Sequence, residues 1–104
     1  MRIILTKPKT FNDLKEEYVI VKVKEGQICC GFFDKNGYSL KNCVIIDKKY
    51  VFKKLYNFYL PLYEIDEYCS MYYIVNEKTY NLFRKINSFK EYQKLECQFE
   101  YHDY

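Results

Sequence analysis

Between Tyr18 and Ile46, apolar and polar residues alternate in three runs separated by turn signals. Val19, Val21 and Val23 share one side of an extended chain, with Tyr18, Ile20, Lys22 and Lys24 on the other. A period of two is the signature of a strand. Glu25-Gly26 breaks the run, Gln27–Phe33 resumes it, Asn36-Gly37 breaks it again and Tyr38–Asp47 completes it. Asn-Gly is a strong hairpin signal because both residues accept the positive φ of a type I′ turn. The segment therefore predicts a three-stranded antiparallel meander. Gly31, inside the second strand, predicts a bulge or sharp bend of the kind that turns corners in small barrels.

The flanking patterns are shorter. Arg2–Thr6 reads as a first strand closed off by Pro8, and Thr10-Phe11-Asn12-Asp13 has the form of a capping box opening one to two helical turns over Phe11–Glu17. Met71–Val75 reads as a strand. Asn76 is placed to cap a helix over Glu77–Ile86, with Leu82, Phe83 and Ile86 on one face. Ser88-Phe89-Lys90-Glu91 is a second capping box and starts one further turn. Leu95, Cys97, Phe99 and Tyr101 alternate with Glu96, Gln98, Glu100 and His102. That predicts a half-buried strand whose charged outer side suits a sheet edge. Lys48–Leu62 is ambiguous: Tyr50-Val51-Phe52 favours a strand, Lys53–Tyr59 reads as a short helix or a loop, and Pro61 limits any helix. The expected fold is α+β in a single domain, 1–104. It is a mostly antiparallel bent sheet, or a small SH3-like, partly open barrel, with one or two short helices.

Val21-Lys22-Val23, Lys24-Glu25-Gly26, Gly31 and Leu40-Lys41-Asn42 follow one another as in the first motif of Sm-like proteins. The segment 19–46 resembles that motif and, more loosely, SH3-like small barrels. Sm proteins carry an Asp and an Asn in the loop that holds a uracil. Here that loop is shortened to Asp34-Lys35-Asn36-Gly37, and the second Sm motif has no counterpart. The resemblance thus implies a small-barrel fold without the Sm uracil site. The same outline is similar to short uncharacterised phage proteins, which implies an accessory role in a phage or mobile element.

Composition changes the weight of the aromatic residues. The 104 residues hold 13 Tyr and 8 Phe but no Ala or Trp, and only Arg2 and Arg84 among the 17 basic residues are arginine. Lys, Asn, Ile, Tyr and Phe have AT-rich codons, so a low-GC genome accounts for much of the excess. Net charge is +3 but unevenly spread: residues 1–54 hold 12 basic and 6 acidic groups, residues 55–104 hold 5 and 8. Such a dipole can steer a polyanion or drive head-to-tail association. Ile3-Ile4-Leu5 is far shorter than the ~7–15-residue apolar core of a signal peptide, and no apolar run approaches the ~20 residues that cross a bilayer. A cytoplasmic protein without a membrane partner is expected. In that setting Cys29, Cys30, Cys43, Cys69 and Cys97 should be reduced, core-filling thiols, with Cys29 and Cys30 on opposite faces of their strand.

Most candidate chemistry is excluded by residue supply. His102 is the lone histidine, and Cys97 would face away from it on a regular strand. No paired C-x-x-C spacing exists for a metal, and no glycine-rich phosphate loop is present. Glu64 and Asp66 would share a face on a strand; an alternating acidic segment reads as a solvated edge. No catalytic residue, metal ligand or cofactor is expected. The binding candidate is the run Lys48, Lys49, Tyr50, Phe52, Lys53, Lys54 and Tyr56, where lysines would neutralise phosphates and rings stack on bases. Lys22, Lys24 and Lys41 would extend the patch. The expected function is a non-enzymatic small β-barrel module, an inhibitor or sequestering protein that binds nucleic acid, a nucleotide or a host protein. The alternative is a protein–protein or homo-oligomeric module built by adding edge strands, with no nucleic-acid ligand.

Overall fold

The computed structural model describes residues 2–49 and 54–103. In chain order they form β1 (Ile3–Lys7), a 3₁₀ turn (Phe11–Leu14), β2 (Tyr18–Val23), β3 (Ile28–Phe33), β4 (Ser39–Ile46), β5 (Lys54–Tyr59), a second 3₁₀ turn (Leu62–Glu64), α1 (Ile65–Tyr68), β6 (Cys69–Val75), α2 (Glu77–Lys85), α3 (Phe89–Glu96) and β7 (Phe99–Asp103). All seven strands join one sheet in the order β5-β4-β3-β2-β6-β1-β7. Neighbours are antiparallel except β1 and β7, which run parallel. The architecture is α+β, with three α-helices rather than one or two. No helix among the described residues is long and apolar enough to cross a membrane.

The sheet is buried on both faces, which explains why Cys43-Val44-Ile45-Ile46 is continuously apolar rather than alternating. Val19, Val21, Cys29, Phe33, Cys43 and Ile45 point to one side, under the 3₁₀ turns and α1. Ile20, Cys30, Val44 and Ile46 point to the other, under Tyr80 and Phe83 of α2, Ile86 and Tyr92 of α3. Each such side chain stabilises the fold by roughly 1.5–3 kcal/mol when fully buried.

The meander forms as the pattern predicts. At Glu25-Gly26 the Gly26 N–H donates to the Val23 carbonyl (2.7 Å), and Gly26 takes φ 98°. At Gly31 the register against β4 slips. The β3–β4 turn differs from the two-residue type I′ turn that Asn36-Gly37 predicts. Five residues, 34–38, link the strands, and only Gly37 among them has positive φ, 72°. The Asp34 carboxylate accepts from the Tyr38 N–H (2.9 Å) and the Ser39 hydroxyl (3.0 Å). A side chain that closes the loop onto its own backbone outcompetes the shorter turn. Partial burial works to raise the Asp34 pKa, but these donors outweigh it and hold the carboxyl below its usual range.

In the second half the caps are sound and the alternation misleads. The Asn76 side chain accepts from the Thr79 N–H (2.8 Å) at the start of α2. Ser88 accepts from the Glu91 N–H (3.2 Å), but the helix it opens runs two turns, to Glu96, not one. Leu95 and Glu96 therefore belong to α3, Cys97 caps it, and the strand begins only at Phe99. Tyr92 and Leu95 lie three residues apart and both reach the α2-side core, so helical spacing accounts for Leu95 as well as the strand period does. β7 does form an edge, with Glu100 paired to Arg2 (3.2 Å) and His102 (2.9 Å). Residues 62–68 are helical turns, so Glu64 and Asp66 do not share a strand face; Asp66 instead accepts from the Tyr72 hydroxyl (3.1 Å).

Cys29 and Cys30 are buried on opposite faces of the sheet. Cys43 and Cys69 are also buried, whereas Cys97 is exposed. Burial pushes the Cys43 thiol up to about 12 and the Cys69 thiol up to about 11. Since the thiolate is the reactive form, iodoacetamide on the native protein at about pH 8 should label Cys97 and spare the other four, which react after denaturation. A second native adduct found by mass spectrometry on Cys29 or Cys43 would show that the core opens.

Candidate functional site

A cleft of about 680 Å³ lies between α2 and the β4–β5 end of the sheet, within the usual range of ~300–1,000 Å³ for small-ligand sites. A break in β4 creates it. Pairing with β5 slips between Leu40 and Cys43, and Asn42 adopts φ 53°. The Asn42 N–H donates to Asn57 Oδ1 of β5 (3.0 Å), and its carbonyl accepts from the Tyr80 hydroxyl of α2 (2.7 Å). One distorted residue thus ties the helix and the edge strand together across the cleft floor.

Aromatic rings form one wall. The Tyr18 ring lies 4.9 Å from that of Tyr80 at 34°, and meets Phe32 edge-on at 5.1 Å. The Arg84 guanidinium lies 5.9 Å from the Tyr80 ring, within cation–π range. Burial pushes the Tyr80 phenol up and nearby Arg84 draws it down; the net shift is upward. The hydroxyl therefore stays protonated near neutrality and holds its bond to Asn42. Glu77 and Asn81 complete the helical side, and Leu55 and Asn57 the strand side.

The lysine–aromatic run predicted from the sequence is only partly assembled. Lys48 and Lys49 are exposed at the end of the β4–β5 hairpin, with the Lys49 N–H bonded to Asp47 (2.8 Å). Tyr50, Phe52 and Lys53 lie outside the described residues, as does the side chain of Lys54. Tyr56 borders the cleft but sends its ring to the far face of the sheet, half-buried against the cluster containing Cys43. Burial raises its phenol pKa. The strand period explains this: Tyr56 and Phe58 share the core side of β5, leaving Leu55 and Asn57 on the α2 side.

The sequence reading missed Tyr18, Phe32, Asn42, Asn57, Tyr80 and Arg84 as site residues. A signal was present on α2. Glu77, Tyr80, Asn81 and Arg84 are spaced i, i+3, i+4, i+7, a polar and aromatic stripe. No comparable signal exists for Asn42 and Asn57, which meet through the break in β4.

A second surface lies at the other end of β5. Tyr38, Tyr59 and Tyr63 are exposed. The Tyr59 phenol beside Tyr63 is the main cause of the latter's raised pKa. Among the described residues, no group of three or more His, Cys, Asp or Glu is placed to hold a metal ion. No protein-family model matches this chain, and neither a curated protein nor a solved structure matches it.

Proposed function

We propose that this chain is a non-enzymatic binding module that holds a nucleotide, or one nucleotide unit of a single strand, in the cleft between α2 and β5. The observation that carries this reading is the lining itself: aromatic edges and faces from Tyr18, Phe32 and Tyr80, amides from Asn42, Asn57 and Asn81, and Arg84 beside them. Rings suit a planar base, amides suit its hydrogen-bonding edge, and a guanidinium suits phosphate. Glu77, on the same wall, disfavours a bare anion and favours a ligand with hydroxyl or amino donors. Lys48 and Lys49 lie four and five residues beyond Val44, the β4 partner of Leu55, where they would meet a neighbouring phosphate.

Other features support binding over turnover. His102 is on the opposite sheet edge from the cleft. The β2–β4 meander is the part we read as similar to Sm-like and SH3-like small barrels, which are binding folds. Its likeness to phage accessory proteins, with the low-GC composition, supports a sequestering or inhibitory role.

The test is titration with mononucleotides and with short single strands. Arg84→Glu should weaken both by tenfold or more, since a charge-assisted hydrogen bond contributes about 1.5–3 kcal/mol. Lys48→Glu combined with Lys49→Glu should weaken only the single strand and flatten its salt dependence by about one to two phosphates. If neither ligand class binds at millimolar concentration, the reading fails.

A further inference from the structure

The two edges of the sheet are unlike each other. β7 carries Glu100, His102 and Asp103, of which Glu100 is already paired to Arg2; charge of this kind blunts an edge. β5 has no proline among its six residues, and among the described residues no strand lies beyond it. Its Leu55 and Tyr59 are 55% and 69% exposed. An unprotected edge with apolar side chains is a template for another strand.

We propose that a second copy of this chain docks on β5, antiparallel, about a two-fold axis through Asn57, and continues the sheet across both copies. The register follows from the side chains. Antiparallel pairing sets residues of the same face opposite one another. Leu55, Asn57 and Tyr59 share one face. Centred on Asn57, Leu55 of each copy meets Tyr59 of the other, so both exposed apolar groups are covered twice over. The far face then sets Tyr56 against Phe58. Centring on Tyr56 would set Leu55 against Asn57 and part it from Tyr59. Centring between residues would oppose side chains of different faces.

Charge agrees with this orientation. The antiparallel arrangement carries the hairpin end with Lys48 and Lys49 toward the end of the partner copy's β5. There the chain continues into Glu64, before α1 carries Asp66 and Glu67 away from this edge toward β6. Two-fold symmetry makes that attraction occur twice. The pairing does not depend on what fills the cleft, although it seats Tyr59 of the partner copy against Leu55 at the cleft's rim.

Light scattering of the unchanged chain without ligand, at about 100 μM, should give twice the 12.8 kDa chain mass. Leu55→Lys with Tyr59→Lys should give the monomer mass, because lysine is a common device for blocking an edge. Cysteine placement reads the register in a Cys97→Ser background, which removes the exposed thiol. Directly opposed residues have Cα atoms about 4.5–5.5 Å apart, inside the range a disulfide spans. Asn57→Cys should therefore form a covalent dimer on mild oxidation. Leu55→Cys should not, its mate being four residues away, about 13 Å. A monomer mass for the unchanged chain overturns the proposal even if a variant fails to fold. A dimer that survives the double lysine change overturns it too, as does crosslinking through Leu55→Cys and not Asn57→Cys.

Discussion

Replacing Phe83 with alanine should lower the unfolding free energy by about 3–5 kcal/mol, the range for deleting a buried aromatic ring. Phe83 is fully buried on the inner side of α2. Its ring lies 6.0 Å from that of Tyr92 on α3 and 6.3 Å from that of Phe99 on β7. It therefore ties α2, α3 and β7 into one aromatic cluster. A domain of this size has a total stability of about 5–15 kcal/mol, so the loss removes at least about a fifth of it. Urea denaturation should show a lower midpoint with an unchanged slope. Leu82→Ala on the same helix, where the side chain is only partly buried, should cost much less. A Phe83→Ala loss below about 1 kcal/mol would mean that α2 is not packed on the sheet as described. Since α2 also carries Tyr80 and Arg84, the same variant should weaken the proposed nucleotide binding at temperatures where it still folds.

The contrast between Phe83 and Asn42 shows what the sequence could disclose. Leu82, Phe83 and Ile86 announce a helix face because their spacing is a local, periodic property, and the Asn76 cap fixes where it starts. The meander was legible for the same reason: alternation in Val19–Val23 and the punctuation at Gly26, Gly31 and Gly37 are all local. Leu95–Tyr101 misled because Leu95, the first of the alternating residues, also stands three residues after Tyr92 and serves the inner face of a helix. There the Ser88 cap and the packing of Tyr92 decide for helix, and packing is not a local property. Burial on both faces removes alternation from β4, so its second neighbour, β5, could not be read from it.

The candidate site was less legible than the fold. Its floor depends on Asn42 leaving the regular strand and bonding to Asn57 and Tyr80, partners 15 and 38 residues away. Nothing in the local pattern around Asn42 marks it. The lysine run at 48–54 was conspicuous because charge is visible in a sequence, and Tyr56 seemed to belong with it through proximity. The pleat separates them: a ring at the end of that run falls on the core side of β5. Only the Glu77–Arg84 stripe carried a readable signal, and it was masked by the stronger apolar face beside it.

Replacing Gly31 with valine should cost about 3 kcal/mol or more and leave little soluble protein. Strand propensity alone gives the opposite sign, because valine is favoured and glycine disfavoured in strands. Space decides the matter. A Cβ at Gly31 would lie 2.9 Å from the Lys41 carbonyl oxygen, 3.0 Å from the Cys43 sulfur and 3.2 Å from the Cys43 Cα. The nearest obstacle is backbone, which cannot rotate aside as a side chain can, so β3 and β4 must separate. Overpacking of this kind usually costs about 1–3 kcal/mol and more where the neighbours are rigid, and the two methyls of valine worsen it. Gly26→Ala is the control. Gly26 has φ 98° but nothing within 4 Å of a new Cβ, so only backbone strain of about 1–2 kcal/mol opposes the change. Thermal unfolding of the two variants should rank them with Gly31→Val far the worse. The reverse order would mean that the bend in β3 is set by backbone conformation rather than by the close approach of β4. A milder Gly31→Ala variant that folds should also lose ligand affinity, because displacing Lys41 moves the adjoining Asn42, whose carbonyl anchors Tyr80 across the cleft floor.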